Sequence, residues 1–79
     1  MNIRYTDSAS KHGLTEEEIV WVILHAVRTE EVADRHGRPA KKFVGSVHAQ
    51  TNRLAEVFVS QDGADFVVFH AMEIGERLQ

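Results

Sequence analysis

The sequence predicts an α+β domain. Two N-terminal helices should pack on a roughly four-stranded antiparallel meander sheet. Three observations carry this. Helical apolar spacing is confined to the first third of the chain. Strand-like runs separated by turn residues fill the rest. At 79 residues there is room for one domain only, residues 1–79. A chain of this size buries roughly 60% of its unfolded surface, so a stabilising partner subunit is a natural expectation.

Ile3-Arg4-Tyr5 reads as a short edge strand. Thr6 or Asp7 can cap a brief helix through Ala9 and Lys11, and Gly13 can end it in a left-handed conformation. Thr15-Glu16-Glu17-Glu18 is a capping box, with three carboxylates at the positive end of a helix dipole. That helix should run from Glu16 to about Ala26. Ile19, Val22, Ile23 and Ala26 form its apolar stripe, widened by Val20, Leu24 and Val27, and Trp21 lies off it. Thr29 to Asp34 has weak strand character. Asp34-Arg35-His36-Gly37 is a turn, and Arg38 to His48 a strand with Pro39 near its start. Gln50-Thr51-Asn52 turns into the strand Leu54–Val59. Asp62-Gly63 signals a hairpin into the last strand, Phe66–Met72.

Alternation along the last two strands leaves both sheet faces apolar. Val67, Phe69 and Ala71 oppose Phe66, Val68, His70 and Met72. Ala55, Val57 and Val59 oppose Leu54, Glu56 and Phe58. Two helices cover one face. The other asks for a partner protein or a second copy of the chain, hence a homo-oligomer.

The charge is uneven. Residues 1–34 carry three basic and seven acidic side chains, residues 35–53 five basic and none acidic, and residues 54–79 one basic and five acidic. A carboxylate-free stretch in a chain of net charge −3 points to a local anion-binding patch. Alternation puts Arg38, Lys42 and His48 on the face opposite Phe43 and Val47. Arg35 and Arg53 flank them at the turns. These five residues are the candidate phosphate-binding cradle.

The five histidines form no HxH or HExxH motif, and there is no cysteine, so no metal or other cofactor is expected. Metal-free RNA cleavage needs a base, an acid and cations, which histidine, lysine and arginine supply. His70, in an apolar strand, is a candidate catalytic group, with a hydrogen-bonded core histidine as the plain alternative. The longest apolar run, Ile19 to Leu24, is too short to span a bilayer, and MNIRYTDS holds no signal-peptide core. No membrane association and a cytoplasmic location are therefore expected.

Several segments, taken in order, resemble BrnT-type toxins of bacterial type II toxin–antitoxin systems. KHGLTEEEIVWVI resembles the family's KHG followed by a capped, acidic-start helix. FVGSVHAQTNRLAEVFV resembles its paired strands, with Gly45 and Arg53-Leu54 at the junctions. DFVVFHAMEIGERL resembles its last strand and charged tail. The resemblance implies a RelE-like fold, endoribonuclease (mRNA interferase) activity on RNA, and neutralisation by a cognate antitoxin. It adds Lys11 and His12 to the candidate catalytic residues and matches Arg53, already in the cradle, to the family's strand-opening arginine. The family often closes its last strand with Ser-Ala-Arg, where this chain has His70-Ala71-Met72. The second reading is a non-catalytic protein-interaction module, or a decayed toxin, on the same fold.

Overall fold

The computed structural model describes residues 2–76. The elements in chain order are β1 (Ile3–Tyr5), α1 (Asp7–Ser10), α2 (Glu16–Leu24), β2 (Arg28–Ala33), β3 (Pro39–Ser46), β4 (Arg53–Asp62) and β5 (Asp65–Glu76). All five strands form one sheet in the order β1-β5-β4-β3-β2.

This corrects the expected architecture. The sheet is mixed and five-stranded, not an antiparallel meander of four strands; the expected edge strand Ile3–Tyr5 is present and joins that sheet. β1 pairs parallel with β5 through Ile3↔Phe66 and Tyr5↔Val68. The reason lies in β5, whose outer edge would otherwise present unpaired backbone groups. Phe66 N–H donates to Asn2 C=O at 2.8 Å and Thr6 N–H to Val68 C=O at 3.0 Å. Arg4 fastens the same edge, with Nη2 2.6 Å from Asp62 Oδ2 and Nε 3.6 Å from Asp65 Oδ2. In place of the expected RelE-like helical layer there are one turn and one short helix. α1 is a single turn capped by Thr6, whose Oγ1 accepts from Ala9 N–H at 3.3 Å.

α2 begins where the sequence places it. Glu18 N–H donates to Thr15 Oγ1 at 3.1 Å, and Thr15 N–H donates to Glu18 Oε1 at 2.9 Å. It ends earlier than expected, at Leu24. Gly45 explains its close seating on the sheet. A Cβ there would lie 3.1 Å from Ala26 Cα and 3.3 Å from His25 C=O, so a side chain would have to push this backbone back by a few tenths of an ångström. Ile19 and Val22 are buried, whereas Leu24 and Val27 are exposed and do not widen the core stripe. Trp21, half-buried, stacks on His25 at 3.9 Å between ring centroids.

The helices cover the face carrying Ala55, Val57 and Val59 of β4 and Val68 and Ala71 of β5. With Ala9, Leu14, Ile19, Val22 and Val47 these form the core. Tyr5 packs at its margin, where burial, with Glu16 nearby, holds the phenol above its ordinary pKa.

The opposite face departs from the apolar slab that alternation predicts. A register irregularity between Phe58 and Val59 aligns Phe58 with His70 but Val59 with Val68, so Phe69 has no partner on β4. Such a bulge breaks the two-residue period. Val67, Phe69 and His70 consequently line the open side together, while Val68 and Ala71 are buried in the core. Charged groups also run across this face. Arg28 Nε lies 3.4 Å from Glu30 Oε2, and Lys42 Nζ lies 3.6 Å from Glu30 Oε2 and 3.8 Å from Glu56 Oε1. His70 Nε2 closes the row, 3.0 Å from Glu56 Oε2.

Candidate functional site

A groove of about 850 Å³ opens on the uncovered face. Its floor is β4 and β5, through Glu56, Phe58, Ser60, Val67, Phe69 and His70. The first turn of α1 (Thr6, Asp7, Ser8) forms one wall and the β2–β3 hairpin (Asp34, Arg35, His36, Arg38) the other. Asp34 shapes that hairpin. Its Oδ1 accepts from the N–H of His36 at 2.8 Å and of Arg38 at 2.9 Å. The Arg38 N–H, first among several causes, holds the Asp34 carboxyl below its ordinary pKa.

His70 sits at the centre of this region with a fixed orientation. Its Nε2 is 3.0 Å from Glu56 Oε2, and its ring meets Phe58 edge-on at 5.0 Å between centroids. A carboxylate oxygen is an acceptor, so in this contact Nε2 is the donor and Nδ1 is the ring nitrogen left for another partner. His12, 58 positions away in sequence, comes to 5.7 Å from His70 between ring centroids, at 64°. α1 makes this meeting possible by lying along β5 just past the end of β1. Lys11, the C-cap of α1, is exposed and has no ion pair among the described residues.

The five cradle residues do not form one cluster. Arg35 and Arg38 lie at the β2–β3 end of β3. His48 and Arg53 lie beyond or at the far end, about 26 Å away for an eight-residue strand. Three of the five are committed to carboxylates. Arg38 Nε is 3.3 Å from Asp34 Oδ2, and Lys42 lies between Glu30 and Glu56. Arg53 donates to Glu73 Oε1 from Nε at 3.0 Å and from Nη2 at 2.7 Å. That contact holds the Glu73 carboxyl below its ordinary pKa and Arg53 further toward its charged form. His48 is exposed in the β3–β4 connection. Arg35, on the groove wall, keeps a guanidinium without an ion pair among the described residues.

Sequence reasoning took His70 from its apolar strand and Lys11 and His12 from the resemblance; it anticipated neither the contact of the two rings nor the presence of Glu56, Phe69 and Asp7 in the groove with His70. Glu56 stands alone among apolar neighbours in LAEVFV, and that isolation was the available signal. Among the described residues no group of three or more His, Asp or Glu converges as a metal site would require. No helix among them is long and apolar enough to cross a membrane. A second, mostly apolar cavity of about 420 Å³ lies on the helix side, lined by Ile23, Phe43 and Phe66 and rimmed by Glu31 and Lys41. His12 and His70 are not part of its lining. No protein family, curated protein or solved structure matches the chain.

Proposed function

We propose that the chain is a metal-independent endoribonuclease of the toxin type, acting in the cytoplasm and neutralised by a cognate antitoxin protein. The observation that carries this reading is the paired imidazoles of His12 and His70, with His70 oriented by Glu56 at 3.0 Å beside an open groove. The resemblance to BrnT-type toxins points the same way.

The chemistry is internal phosphoryl transfer. His70 Nδ1 takes the proton of a ribose 2′-OH, and the 2′-oxygen forms a bond to the adjacent phosphorus. The bond from phosphorus to the 5′-oxygen breaks. His12, protonated, gives that oxygen its proton. The products are a 2′,3′-cyclic phosphate and a 5′-hydroxyl, and no water is consumed. Lys11, next to His12 and free of ion pairs among the described residues, supplies positive charge as the phosphorane forms. Arg35 on the groove wall guides the backbone.

Replacing His70 or His12 with Gln should lower cleavage of single-stranded RNA by about 10²-fold or more while the melting temperature holds. Wild-type cleavage should persist in EDTA. Wild-type protein that leaves RNA intact at low salt sinks this reading. The second reading, a non-catalytic interaction module, draws on the ion pairs that occupy Arg38, Lys42 and Arg53. Its signature is partner binding with no cleavage and no effect of either Gln variant.

A further inference from the structure

The groove holds more than His70 needs. Beside His70 lies an aromatic and apolar floor of Phe58, Phe69 and Val67. Phe69 is there because it is the bulged residue of β5. Its ring meets Phe58 at 68° with centroids 5.9 Å apart. Phe58 is flanked as well by His70 and by Lys42 Nζ, 5.8 Å from its centroid, so Phe69 is the ring with fewer neighbours. The two walls differ in sign. Arg35, without an ion pair, stands on one wall. On the other stands Asp7, exposed, its carboxylate without a hydrogen bond or ion pair among the described residues.

A carboxylate in a phosphate-binding groove is unfavourable unless it serves the base. Unpaired bases in single-stranded RNA are held by stacking on aromatic rings and by hydrogen bonds to their Watson–Crick edges. Two oxygens that only accept match an edge offering two adjacent donors. Guanine, with N1–H beside its 2-amino group, has that edge. Adenine places an acceptor beside its amino donor, and uracil has a single N–H.

We infer that this groove is a base-specificity subsite, taking one unpaired guanine stacked on Phe69, its Watson–Crick edge on Asp7 and its phosphate toward Arg35. The inference rests on reading the groove as an RNA site, and it adds which nucleotide stands beside the cleaved bond.

The test uses the full chain and fluorescently labelled 2′-O-methyl pentamers, UUGUU and UUAUU. Both lack the 2′-OH nucleophile and stay intact. By anisotropy at low salt the guanine pentamer should bind about tenfold tighter. Asp7→Asn should abolish that preference or turn it toward adenine, because a carboxamide offers one donor and one acceptor. Phe69→Leu keeps apolar bulk without a stacking face and should weaken both pentamers about tenfold. Lys41→Ala, on the helix-covered face, should change neither. Equal affinity for the two pentamers, a guanine preference that survives Asp7→Asn, or no binding of either overturns the subsite. His70-dependent cleavage without guanine preference would leave the ribonuclease reading standing and remove the subsite alone. Guanine-selective binding without cleavage would do the reverse.

Discussion

The two faces of the one sheet are built from the same alternating strands, yet they do different things. The helix-covered face has an apolar centre with polar groups such as Tyr5, Glu31 and Lys41 only at its margins. Its centre is Val57, Ala55, Val68 and Ala71 under Ile19 and Val22, and among the described residues no polar or charged side chain is buried there. The open face carries Glu30, Lys42, Glu56 and His70 in contact, between small buried residues such as Ala40 and Val44. One face supplies stability. The other keeps titratable groups in fixed positions at the edge of solvent. With one core under the helices, the open face is where the proposed chemistry is sited.

The largest expected effect breaks the covered face. Ile19→Ala, at a residue 2% exposed under α2, should cost about 2–4 kcal/mol and lower the melting midpoint steeply. In a domain of this size that is a large part of the total stability. Denaturant unfolding checks it. A loss under about 1 kcal/mol would mean α2 is not a principal contributor to the core.

A middle-sized effect isolates the helix from its packing. Thr15→Ala removes the acceptor for Glu18 N–H and should cost about 1 kcal/mol, read by thermal melting. An unchanged melting temperature would place the start of α2 elsewhere. RNA affinity should not move, since Thr15 lines no part of the groove.

This capping box was legible because every part of it is local. So was the turn after Asp62; alternation grouped Ala55, Val57 and Val59 on one face but did not say that this face is the one the helices bury. The parallel pairing of β1 was not legible, because Ile3 and Phe66 meet across 63 positions and nothing in Ile3-Arg4-Tyr5 names its neighbour. The bulge at Phe69 was hidden for a related reason. A strict period of two is the only rule available to a single strand, and it sent Phe69 and His70 to opposite faces. His12 and His70 were legible as candidates, but their contact depends on where α1 lands along β5. The basic run misled most. β3 lies between β2 and β4, and cross-strand carboxylates from both neighbours meet its cations. A carboxylate-free segment is then the complement of acidic flanks, and only part of it remains available to a ligand.

The smallest effect separates spent cations from available ones on the open face. Lys42 and Arg35 look alike in sequence, both within the run that has no carboxylate. In the structure Lys42 is bracketed by Glu30 and Glu56, 23% exposed at its side chain, whereas Arg35 stands on the groove wall with no ion pair among the described residues. Lys42→Met keeps the aliphatic stem and removes the charge. Partly exposed ion pairs contribute little, so stability should change by less than about 1 kcal/mol. A phosphate bound by an already neutralised ammonium releases little extra counterion, so the slope of RNA affinity against salt should stay as it is. Arg35→Ala should instead reduce that slope by about one, weakening guanine and adenine pentamers alike. The two titrations compare directly, since both variants leave Asp7, His12 and His70 in place. Should Lys42→Met flatten the salt dependence as much as Arg35→Ala, the row of charges opens on binding, and the whole open face contacts the RNA backbone. Should Arg35→Ala leave the slope unchanged, the hairpin wall is not where the backbone runs.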